Sequence, residues 1–304
     1  MLSVFNTRDR GGARFFVPTG SNLSYTIGYG TVLSVNMFVI DNVIWIRLGS
    51  FAGIFLLMAV WEIAAPRRIL RTPKGARWFN NLSVTVLNSL VGRFIFPLQA
   101  AALAIVAQER GLGLFHYLNV PSLPAGVLSI VLLDLVIYLQ HVVFHRVRIF
   151  WYFHGMHHTD LDIDVTTGAR FHPVEIVLSL LIKMGIIVLL GPPAWSFVTF
   201  EVLLNATSMF NHSNIAIGTA VDRVLRLIVV TPDMHRVHHS VIIGEHDSNF
   251  GFNLPWWDRL FHTYRGQPRD GHRDMVIGLA NFRDPKRLGL VRLILLPFLE
   301  RKKF

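Results

Sequence analysis

Histidine is the residue type of this chain best suited to chemistry, and its 14 copies are clustered. His141 and His145 stand in H-x-x-x-H (QHVVFH). His154, His157 and His158 form H-x-x-H-H (HGMHH), and His235, His238 and His239 repeat that pattern (HRVHH). His172 lies in RFHP and His212 in FNHSN. On a helix, residues three and four apart share a face. His141 and His145 can therefore aim two imidazoles at one ion. In H-x-x-H-H the first residue aligns with both later ones, and the adjacent pair can serve two different ions. Imidazole suits iron, zinc, copper and nickel alike. One zinc takes four ligands, so these histidines are too many for a single ion. Two ions, each with an open position, fit the set.

Histidines also gather at membrane interfaces as amphipathic anchors, and the isolated His116, His246, His262 and His272 read that way. Two H-x-x-H-H motifs plus one H-x-x-x-H on a single predicted face do not.

The elements that must carry these motifs are apolar. The chain is 52% hydrophobic and 16% charged, with a mean hydropathy of +0.45, whereas soluble domains are about 25% charged. Three blocks suit a bilayer crossing of about 20 residues, at roughly 48–65, 84–107 and 125–144. A fourth, 174–210, is too long for one crossing. Gly191-Pro192-Pro193 breaks it, which predicts a tight helical hairpin entering and leaving on one face. The expected fold is all-α: one integral membrane domain over residues 1–304, a multi-pass helical bundle. A histidine-rich di-metal cap over about 141–172 and 211–265 completes it. The 66–82 loop holds Arg67, Arg68, Arg71, Lys74 and Arg77, while the next loop has only Arg110. The positive-inside rule places the first of these in the cytoplasm, and with it the histidine clusters. The same count puts the N-terminus outside despite Arg8, Arg10 and Arg14. A further buried or interfacial segment over 28–42 would change that end alone.

The absence of cysteine excludes disulfides, thiol nucleophiles and Cys-ligated zinc or iron–sulfur centres. The net charge of +10 comes without the basic, aromatic-interleaved stripe that nucleic acid needs. No nucleic-acid partner is expected.

These residues resemble the sterol desaturase / fatty acid hydroxylase family of membrane di-iron enzymes. The resemblance runs from DLVIYLQHVVFH through WYFHGMHHTD, TTGARFHPVE and FNHSN to TPDMHRVHHS and DSNFGFNLPWWDRLFHTY. It implies two iron ions held by His141, His145, His154, His157, His158, His212, His235, His238 and His239, with His172 added to the metal set. It further implies O2 as co-substrate, a membrane lipid as substrate and a separate electron donor of cytochrome or ferredoxin type. Hydroxylation of a lipid C–H bond is the first expectation, and desaturation of a sterol-like lipid at the same site is the second. Gln140, Val142 and His262 depart from the family's usual residues without touching the metal set.

Readings of other classes are a zinc hydrolase or structural metalloprotein, a metal transporter, and an inactive lipid-binding relative. Clustering at one face argues against transport, and the intact histidine set argues against loss of activity. Asp134, Asp160, Asp164, Glu175, Asp233 and Asp247 are candidate partners for the far nitrogens of metal-bound imidazoles. Asp134 stands out as a carboxylate in an apolar helix, seven residues before His141. Glu62 shares that ambiguity, and Arg170 is expected in an ion pair. Trp256, Trp257, Phe261 and Tyr264 suit an interfacial aromatic belt, and Asn249 and Gly251 suit a turn.

Overall fold

The computed structural model describes residues 23–96 and 100–301, with side chains in the first helix from residue 42 onward. Helix α1 (Leu23–Ala64) rises to the histidine end, so the predicted first block is the upper part of a longer helix that also takes in 28–42. Helices α2 (Lys74–Ile95) and α3 (Ala100–Glu109) descend, and short α4 (Leu114–Tyr117) turns the chain. Helix α5 (Ser122–Arg146) climbs back, and α6 (Arg148–His158) folds against its end. Helices α7 (Pro173–Leu190) and α8 (Ala194–His212) follow as a hairpin joined through Gly191-Pro192-Pro193. The cap continues through α9 (Thr219–Leu225), α10 (Pro232–His238), α11 (Ile243–His246), α12 (Trp256–Leu260), α13 (Gly271–Asp274) and α14 (Leu290–Leu299). Among the described residues there is no strand, only two isolated bridges. Among the described residues, four segments are long and apolar enough to cross a membrane: Asn42–Ala64, Lys74–Tyr117, Ser122–Arg146 and Pro173–Leu190.

The predicted second crossing is two helices. Phe96 precedes Pro97 and leaves the helical region (φ −120°, ψ 77°), as the proline ring demands of the residue before it. The hairpin turns at Gly191, whose φ of 64° suits glycine. A Cβ on Gly113 would overlap the Gly191 backbone, so the hairpin tip packs on the start of α4. Small residues on α3 (Ala100, Ala101, Ala104) let it pack closely on Leu133, Ile137, Phe197 and Phe200.

Buried charge in the spans is paired, as hydrocarbon requires. Glu201 meets Arg47 at 3.0 Å and Lys183 at 3.4 Å. Glu62 accepts backbone N–H bonds from Val165 and Asn214, both at 2.7 Å. That resolves its role: it ties two cap loops to the top of α1. Arg77 binds Asp160 (2.7 Å) and Asp164 (2.6 Å), locking α2 to the loop between α6 and α7. Arg170 is not in the expected ion pair. It donates to the Met156 carbonyl, Asn81 Oδ1 and the Thr159 hydroxyl, because Arg77 already holds the nearby carboxylates.

Candidate metal centre

Three helix ends and one short helix deliver the histidines to a single buried layer. Val147 leaves the helical region (φ −101°, ψ 111°) between α5 and α6, so the top of α5 and the whole of α6 face one another. The α10 motif begins at a built N-terminus. Thr231 caps it by accepting from the Met234 N–H, and Pro232 takes the first turn.

The layer resolves into two groups whose ligand atoms lie within 4.8 Å of one another. His141, His145, His154, His158 and His238 form the first, and His157, His212, His235 and His239 the second. The division follows helix geometry. The i,i+4 pairs 141/145 and 154/158 share the first group, and 235/239 shares the second. The adjacent pairs 157/158 and 238/239 are split between groups. All nine rings are buried.

The hydrogen bonds set the tautomers. The Nδ1 atom lies on an oxygen in six of the nine: His141 on the Phe250 carbonyl (2.7 Å), His145 on Asp247 (3.3 Å), His154 on Glu175 (2.8 Å). His157 is on the Arg170 carbonyl (3.2 Å), His212 on Ser208 (2.7 Å) and His238 on Ser248 (2.7 Å). An oxygen beside Nδ1 accepts its proton, which leaves a bare lone pair on Nε2. Two pairs of such Nε2 atoms face each other, His141–His154 at 3.0 Å and His157–His212 at 3.2 Å, and the Nε2 atoms of His158 and His235 join them, His158 on His154 at 3.3 Å and His235 on His212 at 3.1 Å. His145 Nε2, His238 Nε2 and both nitrogens of His239 are buried without a hydrogen-bond partner. Facing lone pairs repel unless a cation sits between them. The donor set therefore fits two metal ions, one per group.

Protonation does not supply the missing charge. Burial pushes His154 down to about 3, and pushes His157, His158, His235, His238 and His239 well below their usual value. Neighbouring imidazoles add to it. The rings are neutral, as ligation requires.

His172, expected in the metal set, lies in neither group. Its ring caps α7: Nδ1 accepts from the Val174 N–H (3.1 Å) and Nε2 bonds the Ile294 carbonyl (3.0 Å). Both nitrogens are spent. The signal was in the sequence, since His-Pro here and Thr-Pro at 231–232 are the same cap-then-proline start. Asp134 is no histidine's partner either. It accepts from the Asn253 and Leu254 N–H groups and from Trp257 Nε1. Of the six proposed partner carboxylates, Glu175 and Asp247 take that role. Asp160 and Asp164 serve Arg77, and Asp233 serves Arg67 and Arg236. His246, read from sequence as an anchor, lies beside the first group, stacked on Trp151 at 5.5 Å and 5.9 Å from His145.

Fold and site together define a helical membrane protein with a paired, all-histidine layer at one end of its bundle whose two groups could each hold a metal ion. Comparison with known proteins sharpens this class. The fatty acid hydroxylase family model matches residues 126–263. Ornithine lipid hydroxylase OlsE of Rhizobium tropici is 30% identical over 245 residues, covering 78% of this chain and 72% of that protein. Human alkylglycerol monooxygenase is 26% identical over 145 residues, 47% of this chain and 30% of its own. Methylsterol monooxygenase 1 of Danio rerio is 29% identical over 135 residues, 41% of this chain and 42% of its own. No solved structure matches. The chain belongs to the fatty acid hydroxylase family.

Proposed function

We propose that the protein is a di-iron, O2-dependent hydroxylase of a C–H bond in a membrane lipid. The observation that carries this reading is the pair of buried, neutral histidine groups at the end of a membrane bundle. His141, His145, His154, His158 and His238 would hold one iron, and His157, His212, His235 and His239 the other. Bound iron would supply O2 activation and the oxidising power for an unactivated C–H bond. One oxygen atom enters that bond and the other leaves as water, with two electrons and two protons consumed.

The chain's own residues do the rest. Glu175, Asp247 and the Phe250, Arg170, Ser208 and Ser248 carbonyls fix the imidazole orientations. Phe171, Phe250 and Phe252 pack against the rings and would help to keep water from them. Without cysteine the chain has no thiolate-bound iron–sulfur centre, so a separate cytochrome or ferredoxin would deliver the electrons. The arginine-rich stretch at 67–77 joins α1 to α2 at the histidine end, which favours a cytoplasmic face for the site. The relatives named above act on lipids, and a lipid is the substrate class proposed here.

The test is lipid extraction from cells expressing the protein under 18O2. A lipid heavier by one labelled oxygen is expected, absent without O2 and absent in a His158→Ala variant. A lipid that instead loses two hydrogens would make the same site a desaturase. An unchanged lipid profile with a fully metallated protein would overturn the reading.

A further inference from the structure

The segment after the second H-x-x-H-H motif lies at a depth where a cap would not be expected. Asp134 sits about 18 Å down α5 from Arg146, at 1.5 Å per residue. Yet Asn253, Leu254 and Trp257 bond to it. One turn higher, the Tyr138 hydroxyl meets Thr263 at 2.9 Å, and its ring stacks on Phe261 at 5.4 Å. Leu139 and Val143 on the same helix, and Val147 just past its end, are exposed apolar residues above this level. Ile63 and Phe79 carry the apolar belt to the tops of α1 and α2. The segment lies inside that belt.

Its backbone is built for such a place. Irregular chain survives at membrane depth only when its polar groups are satisfied by protein. Asp134 takes two backbone N–H groups, and Asp258 takes those of Phe250 (2.8 Å) and Gly251 (2.9 Å). Asn211 donates to the Phe252 carbonyl, and the Val230 N–H to that of Asn253. The outer side is mostly apolar, with His262 and Tyr264 exposed at its far end: Trp256, Leu260 and Phe261 are 47%, 62% and 47% exposed, and Leu227 and Ile228 are 59% and 60% exposed beside them. Trp256 Nε1 donates to the Leu227 carbonyl (2.6 Å), joining the two pieces into one face. Arg259 lies over the Tyr264 ring at 4.6 Å, the basic–aromatic pairing of a membrane interface.

We infer that residues 253–264, with 227–228 beside them, are inserted among the acyl chains of the leaflet on the histidine side. Their occupant is lipid, because the face continues the apolar belt of α5 at the same depth. The insertion puts acyl chains level with Tyr138, directly below the first histidine group. It stands independently of which metal or reaction the histidines serve.

The chain's lack of cysteine makes the test direct. Single variants Ile228→Cys and Leu260→Cys, with Asp270→Cys as the exposed control, are spin-labelled and placed in phosphatidylcholine vesicles. Each must elute from gel filtration in detergent as the parent does, and Phe261→Cys replaces Leu260→Cys if that variant fails. The inference expects membrane-dissolved oxygen to relax labels 228 and 260 several-fold more than an aqueous nickel chelate does, with the reverse at 270. Nickel access at 228 and 260 equal to that at 270 would overturn it. Protection from both agents would also overturn it, since protein rather than lipid would then cover the face.

Discussion

The two histidine groups look alike in composition and differ in what supports them. In the first, carboxylates back two rings, Glu175 behind His154 and Asp247 behind His145. In the second, support comes from carbonyls alone, those of Arg170 and Ser208. His235 Nδ1 and His239 Nδ1 have no partner at all. A carboxylate behind an imidazole raises its basicity and its hold on a metal. The first group also comes nearer the surface, because Asp247 is 28% exposed in its side chain. Two metals bound in these groups would therefore be inequivalent: one with carboxylate support, the other framed by neutral dipoles.

The largest expected effect separates adjacent residues. His157 and His158 are neighbours in sequence but serve different groups. His158→Ala should lose metal from the first group and His157→Ala from the second. Activity should fall by more than the roughly 10–100-fold typical of losing an outer partner. Metal analysis of the two proteins checks it, and loss of both metals in each variant would show one cooperative site instead.

Next comes the support itself. Glu175→Gln should weaken first-group metal affinity by roughly 10–100-fold. Asp247→Asn should do less, since its bond is 3.3 Å against 2.8 Å for Glu175. Chelator competition measures both, and an equal effect would remove the distinction drawn between the supports.

Acid should act on the cap in a defined direction. His154 sits at about 3 in the fold against about 6.5 in an unfolded chain. The unfolded state binds the extra proton between these values, so this contribution is fully present above pH of about 6.5. It is lost progressively toward about pH 3. The melting temperature of metal-stripped protein should fall on acidification through that window, and metal binding should weaken in the same direction. A flat profile would mean the rings are not buried as described.

The smallest effect belongs to His172. His172→Ala should cost about 1 kcal/mol as a lost helix cap and leave metal content unchanged. Loss of metal would restore it as a ligand.

Much of this was legible in local pattern. The block at 48–65 overlaps the upper part of α1 and that at 125–144 lies within α5, the turn between α7 and α8 falls at Gly191-Pro192-Pro193, and the split of 157 from 158 follows from helical period. The failures came from contacts that local spacing does not carry. Asp134 shares a helix with His141, yet it is claimed by residues more than a hundred positions away. Arg170 lost its expected ion pair because Arg77, on another helix, was better placed. The break in the second block was readable at Phe96-Pro97, where the apolar run concealed it.

The most direct measurement is the metal content of protein purified anaerobically in detergent, beside a His157→Ala/His238→Ala variant that removes a ligand from each group. Iron is expected in both groups of the parent, and its loss in the variant. A folded parent that binds no metal, or zinc that iron cannot replace under reducing conditions, would contradict it.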